Sequence, residues 1–486
     1  MIEHSYANLP NHFYCPAHAA SFSDPKIFLF NENLLNQLDI ESIDFKNETN
    51  AALLSGNIFL PNSRPIAMAY AGHQFGHFVP SLGDGRAMLL GEFLNRENVR
   101  YDLHLKGSGR TCFSRNGDGK CALGPAIREY LISEFMYAVK IPTTRSLAVV
   151  TTGESIFRET EVRGAVLARM ALGHIRIGTF QYFSYRHDYN ALKLLADYCI
   201  ARFYPEINLS NNPYLYFWKS VALKQIKLIA QWMSVGFIHG VMNTDNISIA
   251  GETIDYGPCA FMDHYESNKV FSFIDKNGRY AFNHQPNIIL WNLAKLAESL
   301  FPLLNLPEEH FRIVISEELQ VLQKSIWDKF YHLIIQKMGL AQYTESSKNL
   351  AISWLNFLES EKLDFTLGFI ELERILENKA THTNLIENEN FQFLYNLWQD
   401  ELRNEARNIT ESINQMKQLN ASFIPRNHII ENIIQSAYKE NLTSKNQLLE
   451  KFLKNLTSPF KRYEKLTSDQ LPPSPDEIVQ NTFCGT

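Results

Sequence analysis

Hydrophobic and polar positions change rhythm along this chain. Tyr101 to Lys106 alternates in period two, with Tyr101, Leu103 and Leu105 on one face and Asp102, His104 and Lys106 on the other. That pattern predicts a strand. The apolar run Ala87 to Leu90 and the stretch Leu147 to Phe157 read as further strands, and Asn31 to Leu38 as a short helix. Pro125 suits a first helical turn, so the following AIREYLISEFMYAVK is predicted helical with Glu129 near its start. From Phe180 the rhythm becomes helical. Asn190–Arg202, Tyr214–Val235 and Ile288–Phe301 are amphipathic, with a loop-like stretch from Tyr256 to Pro286. Beyond Glu308 the predicted helices are Phe311–Met338, Ser347–Phe357, Asp364–Glu377, Phe391–Gln418 and His428–Leu456, before a proline-bearing tail from Leu471. Strands early and helices late predict an α+β fold.

The stretch Phe237 to Asp263, FIHGVMNTDNISIAGETIDYGPCAFMD, breaks the helical rhythm. It reads as a short strand, a polar loop, a second strand over Ile247 to Ile254, and a turn. A hairpin of this form brings Asn246 near Asp255. An amide oxygen beside a carboxylate suits a hard cation such as Mg²⁺, which completes its shell with water and phosphate oxygens. The arrangement resembles the protein-kinase pair of a catalytic loop, H-R-D-L-x-x-x-N, and an Asp-Phe-Gly metal turn. His239 matches the histidine, Asn246 the asparagine and Asp255-Tyr256-Gly257 the turn. The catalytic aspartate does not match. Its position is Val241, and the acid is Asp245, beside Asn246.

Composition narrows the class. At 486 residues, with 45% hydrophobic and 20% charged residues, the chain is long enough for two or three globular domains. A net charge of −6 argues against general nucleic-acid binding. No apolar run reaches the roughly 18 residues of a membrane span, and the N-terminus lacks a secretory pattern. A cytoplasmic protein is the expectation. The six cysteines are scattered without a C-x-x-C pair, so neither a zinc site nor a disulfide framework is expected.

Several upstream residues fit a phosphate site. Gly83-Asp84-Gly85-Arg86 offers close backbone approach and a guanidinium fork. Lys106 ends a strand on its polar face, and Glu129 is its natural partner. The run Gly107 to Gly124 is rich in Gly, Arg and Ser and holds a second turn of the same kind at Asp118-Gly119. Arg163, Arg169 and Arg176 follow, the last two seven residues apart; they either converge on a polyphosphate or lie solvated at the surface. His73 and His77 have the four-residue spacing of helical metal ligands. Gly72 and Gly76 disfavour a helix, however, and no third ligand is evident, which favours packed histidines in a tight turn.

Together these segments resemble the selenoprotein O family of protein adenylyltransferases. The matching stretches are YAGHQFGHFVPSLGDGRA, LHLKGSGRT, SRNGDGKC, AIREYLISE, TTGE, GAVLAR, HIRIGTFQYF, GVMNTDNISIAGETIDYGPCAFMD and NGRYAFNHQP, in the family's order between about residues 67 and 290. The resemblance implies a kinase-like bilobal fold with a largely helical C-terminal extension. An N-terminal segment (1–60) would pack on an N-lobe-like part (61–155, with Leu147 to Phe157 near the hinge) and a C-lobe-like part (156–305), and 306–486 would be helical. It implies ATP bound in a flipped orientation and AMP transferred to Ser, Thr or Tyr of protein partners. Asp245 would be the proton acceptor, and Asn246 and Asp255 would hold Mg²⁺ or Mn²⁺. Gly83, Gly85, Arg86, Lys106, Asp118, Gly119, Arg169, Arg176 and Asp255 would contact the nucleotide, with Glu129 orienting Lys106. Mn²⁺-dependent uridylyl transfer from UTP and a nucleotide-binding pseudokinase scaffold remain as alternatives. A C-terminal selenocysteine of many eukaryotic members corresponds to Cys484. Some bacterial members pair such a residue with a cysteine after the metal turn; residues 264–280 have none here, and Cys259 is the nearest substitute.

Overall fold

In the computed structural model of the chain, residues 2–18, 20–38, 48–209, 211–378, 385–386, 388–439, 447–480 and 482 are described. The fold is α+β. Its centre is an antiparallel sheet with strand order β1 (Tyr14–Pro16), β3 (Ile66–Met68), β6 (Ala87–Leu94), β7 (Arg100–Lys106), β10 (Glu161–Ala171), β9 (Arg145–Phe157) and β2 (Lys26–Phe30). A two-residue strand, β8 (Cys121–Ala122), pairs off the path with β10. Two small ribbons stand apart: β4 (Gly72–Gln74) with β5 (His77–Val79), and β11 (Phe237–Ile238) with β12 (Ala260–Phe261).

The alternation in β7 decides what each face of the sheet does. Leu103 and Leu105 pack with Met88, Leu90, Val166 and Ala168 into a core closed by Leu34 and Leu38 of α1 (Glu32–Leu38) and Leu53 and Leu54 of α2 (Glu48–Ser55). Asp102, His104 and Lys106 face the other way and are buried as well. In-register pairing sets His104 beside Arg169 and Lys106 beside Ala87. Their face looks toward α3 (Leu123–Ala138), the helix that brings Glu129 to Lys106. The polar stripe of this strand is therefore an interior, ion-paired stripe.

The chain leaves the sheet after Ala171 and becomes helical: α4 (Ile177–Tyr185), α5 (Tyr189–Phe203), α6 (Pro213–Ser234), α7 (Gln285–Leu304), α8 (Glu308–Lys337), α9 (Glu345–Ser360) and α10 (Phe365–Leu376). Then come α11 (Glu389–Asn404), α12 (Ile409–Leu419), α13 (Asn427–Lys439) and α14 (Gln447–Leu456). Their apolar faces join α3 in a second core.

Five expectations need correction. Leu147 to Phe157 is no hinge; as part of β9 it lies inside the sheet between β2 and β10. Glu129 is the seventh residue of α3, not a first-turn residue, because the helix starts at Leu123. Phe391–Gln418 is two helices, since Ala406 takes a left-handed conformation and Asn408 caps the second through Thr410 N–H. Ile247 to Ile254 forms no strand of a hairpin; only Ser248 and Thr253 make isolated bridges, to Arg176 and Thr143. Finally, Cys15 and Cys112 form a disulfide across 97 residues. No spacing rule exposes such a pair, because it is the sheet that brings β1 to the glycine-rich loop. Cys121, Cys199 and Cys259 are reduced and buried, and Cys484 lies outside the described residues.

Leu105→Ala removes a fully buried side chain beneath α1 and α2. It is expected to lower the unfolding free energy by about 2–5 kcal/mol, read as a reduced urea midpoint at unchanged slope.

Candidate active site

The loop after β11 is built around His239. A carbonyl can only accept, so the His239 Nε2–H donates to Ile254 O (2.9 Å), and Nδ1 takes the contact from Val241 N–H at 3.4 Å. The buried ring stacks on Trp232 at 5.3 Å. One imidazole thus ties the two arms of the loop together. Asn246 donates its Nδ2–H to Val241 O (3.0 Å), which leaves its carbonyl oxygen as the group it can offer a cation. Asp255 has φ +62°, rare for a residue with a side chain. The tight turn closes through Gly257 N–H to Asp255 O at 2.8 Å.

Three cations converge on that carboxylate. Lys106 Nζ and Arg169 Nη1 donate to Asp255 Oδ1 at 2.9 and 2.6 Å, and Arg176 Nη1 donates to Oδ2 at 2.6 Å. Glu129 bridges the first two, accepting from Lys106 at 2.8 Å and from Arg169 at 3.1 Å. Burial alone would raise the Asp255 pKa, but Lys106, Arg176 and Arg169 overcome it and hold the carboxyl well below its usual range. Lys106 is likewise held above its ordinary value: burial lowers it, and Asp255 and Glu129 more than restore it. Arg176 also lies over the Tyr70 ring at 4.8 Å. Removing one member of such a buried cluster strands the others, a loss of about 3–5 kcal/mol.

Asp245 sits on the same wall in a different environment. It is 7% exposed, and its Oδ1 is buried without a hydrogen-bond partner. Burial pushes its pKa up to about 6; Arg176 opposes the rise and Asp255 adds to it. The β4–β5 ribbon covers it. His73 N–H donates to Thr244 Oγ1 (2.7 Å) and Phe75 N–H to Asn243 Oδ1 (3.0 Å), docking the ribbon on the loop. A Cβ on Gly72 would stand 2.3 Å from Asp245 Oδ1, so only glycine lets the ribbon come this close. Sequence reasoning does not single out Gly72 or Tyr70 as site residues; the signal for Gly72 is the glycine in YAGHQFGH, which the close approach to Asp245 requires. His73 in fact bonds Gln181 at 2.9 Å in a tight ribbon, and His77 is exposed. Among the described residues no cluster of three His, Cys, Asp or Glu forms a metal site.

The glycine-rich turn borders the same cleft. Gly83 has φ +64°, and a Cβ there would meet the Phe113 ring at 2.2 Å. Thr111 and Ser114 hydroxyls donate to Asp84 O and Gly85 O, so the loop from Gly107 lies against the turn. The Cys15–Cys112 disulfide anchors that loop one residue from Phe113. The cleft is about 360 Å³, and Gly85, Arg86, Lys106, Arg169, Arg176, Asp245, Asn246 and Asp255 all line it. Three of the expected nucleotide contacts are not in the lining: Gly83, which shapes the turn behind Gly85, and Asp118 and Gly119. Asp118 is largely exposed and paired to Arg158 at 2.8 Å, and Gly119 packs against Gly109. Arg163 points elsewhere, toward Ala437 O.

This is a nucleotide-sized cleft with a cationic wall, two oxygen donors for a cation, and one acid of raised pKa. A family model described as protein adenylyltransferase SelO matches residues 1–453. A protein nucleotidyltransferase YdiU of Bacillus cereus (strain AH820) is 44% identical over 485 residues, covering all of this chain and 98% of that protein. The proteins of the same name from Bacillus anthracis (strain CDC 684 / NRRL 3495) and Bacillus mycoides (strain KBAB4) are also 44% identical, with the same coverage.

In protein carrying ¹³C-carboxyl aspartate, one resonance is expected to titrate near pH 6 and to vanish in Asp245→Asn. If every aspartate titrates below about 5, near the ordinary value, the burial argument for Asp245 fails.

Proposed function

The chain belongs to the SelO family of protein nucleotidyltransferases, and on that premise we propose that it transfers AMP from ATP to Ser, Thr or Tyr hydroxyls of proteins, with Mg²⁺. One observation supports this over phosphoryl transfer. The acid of raised pKa in the cleft is Asp245, while the position of a kinase base holds Val241. The base therefore faces a different part of the nucleotide, in keeping with a flipped ATP whose α-phosphate is attacked.

The residues then take separate tasks. Lys106, Arg169 and Arg176 give up Asp255 for the triphosphate, whose oxygens compete for the same donors. Glu129 keeps Lys106 aimed during the exchange. Asn246 and the freed Asp255 carboxylate fit a hard cation, since both offer oxygen from one wall of the cleft. When bound, Mg²⁺ neutralises phosphate charge and steadies the pyrophosphate leaving group. Asp245 accepts the proton of the target hydroxyl as its oxygen attacks the α-phosphorus. The P–O bond to the β-phosphate breaks, pyrophosphate departs, and AMP remains on the protein. Gly83, Gly85 and Arg86 cover the phosphates; Asp118 and Gly119, held by Arg158 and Gly109, stand outside the cleft. In this reading residues 61–155 and 156–305 form the two lobes around the cleft. Uridylyl transfer with Mn²⁺ uses the same donors and differs only in the base pocket.

Intact-mass spectrometry after incubation with Mg²⁺-ATP is the direct test. A gain of about 329 Da on a target or on the enzyme itself marks AMP transfer, and about 80 Da marks a kinase. Asp245→Asn is expected to cut the rate by about 10²–10⁴ while still binding nucleotide. Only ionised Asp245 can take the proton, so kcat/KM is expected to fall about tenfold per pH unit below about 6 and to level off above it. An Asn variant with the same profile rules Asp245 out.

Metal affinity offers a test free of turnover. Because Lys106, Arg169 and Arg176 hold both Asp255 oxygens, Mn²⁺ is expected to bind at least tenfold more tightly with a non-hydrolysable ATP analogue present, by electron paramagnetic resonance. Equal affinity with and without the analogue would contradict the exchange.

A further inference from the structure

Behind Arg169 lies a second set of polar groups that neither the proposed chemistry nor the sequence patterns use. Arg169 is 1% exposed, and its Nη2 meets His104 Nδ1 at 3.0 Å. The other ring nitrogen, Nε2, meets Asp84 Oδ2 at 3.2 Å. A guanidinium can only donate, so Nδ1 must be the accepting nitrogen. The ring proton is then on Nε2 and is donated to Asp84. Burial holds the imidazole's pKa below its ordinary value, consistent with a neutral ring. Asp84 in turn accepts Met68 N–H at 3.1 Å and belongs to the Gly83–Arg86 turn. His174 stacks on His104 at 4.2 Å and is itself held by Asp102 at 3.0 Å, which fixes the ring plane.

We propose that His104 is a positioning residue for Arg169: it accepts one guanidinium N–H, donates its own Nε2–H as a hydrogen bond to Asp84, and so locks Arg169 in line with the glycine-rich turn over the phosphates. This rests on the reading of Arg169 as a triphosphate contact. Among the described residues Arg169 is otherwise held only by Glu129 and Asp255, through the single nitrogen Nη1. When phosphate draws Arg169 away from Asp255, the His104 contact on Nη2 is the one that keeps the guanidinium from rotating.

The test is a binding cycle by isothermal titration with two probes, a non-hydrolysable ATP analogue and AMP. His104→Phe keeps the ring and its stacking but removes both nitrogens. It is expected to weaken the triphosphate analogue about tenfold or more, the scale of one charge-assisted hydrogen bond, and to leave AMP within about twofold. His104→Gln, with an acceptor and a donor on one amide, is expected to recover most of the loss. The double variant His104→Phe/Arg169→Gln is expected to bind no more weakly than Arg169→Gln alone. Additive losses, or equal losses for AMP and the triphosphate, would overturn the assignment and leave His104 a structural residue. If Arg169→Gln itself leaves triphosphate affinity unchanged, the proposed phosphate contact of Arg169 is wrong, which is a separate failure. Should His104→Phe not fold, Asp84→Asn carries the same test. Its amide can face the ring with either atom and no longer enforces the tautomer, so a smaller loss in the same direction is expected, and its absence overturns the proposal.

Discussion

Three cations on one carboxylate set the geometry of this molecule. Lys106, Arg169 and Arg176 come from β7, β10 and the start of α4, and they meet only at Asp255. Without that carboxylate, three buried positive charges would share the single anion Glu129 in a low-dielectric cleft, several kcal/mol uphill. With it, the sheet, the Asp255 turn and α3 are held in one arrangement. The same charges make the cleft selective. In the proposed reading a triphosphate replaces Asp255 as their common anion, which a neutral ligand could not do. The strain at Asp255, whose backbone is left-handed, is sustained by these contacts and by the Gly257 N–H that closes its turn.

Asp245 shows the opposite use of burial. It is close enough to Asp255 for their charges to repel, but the cations serve Asp255 first. Arg176 spends its Nη1 on the Asp255 carboxylate and the Asp245 backbone carbonyl, not on the Asp245 side chain. The ribbon around Gly72 excludes water from it. Two carboxylates on one wall therefore have pKa values pushed apart, one down and one up to about 6. Such a separation is what divides an anion-holding role from a proton-accepting one.

Much of this was legible in the chain because the chemistry sits in short local patterns. The period-two alternation of Tyr101 to Lys106 identified a strand with a polar face. Lys106, Glu129, Arg169, Arg176, Asp245, Asn246 and Asp255 do converge, although their functional roles remain those of the proposal. What could not be read was whatever depends on long-range assembly. Pattern alone could not say that the polar face of β7 is buried, since alternation marks two faces without saying what covers each. The Cys15–Cys112 bridge needed the sheet order. The alternation of Ile247 to Ile254 imitated a strand, yet those positions alternate because the loop crosses between the sheet side and α6, and its hydrogen bonds go to Ile175, Pro142 and Gln225 instead of to a partner strand. Asp118 and Gly119 matched a motif, but the loop's own ion pair with Arg158 holds them outside the cleft.

The helical C-terminal half bears on the site through the segment that follows the Asp255 turn. Arg426, buried, donates to Asp263, to Asp364 at 2.9 Å and to the Gln470 carbonyl, so one guanidinium joins the end of that segment to α10 and to the chain beyond α14. Arg128 of α3 donates to Cys259 O at 2.5 Å and to Asn427 Oδ1 at 2.6 Å, linking the same segment to α13. Tyr438 OH accepts from Gly124 N–H at the start of α3 (2.9 Å). The N-terminal half of the Glu129 helix and the segment after Asp255 are therefore braced by residues from beyond 420. The turn at Asp255 is held on the cleft side by Lys106, Arg169 and Arg176. The late helices supply the buried partners that keep it in place, which gives a physical reason for a helical half without a catalytic constellation to be continuous with the cleft.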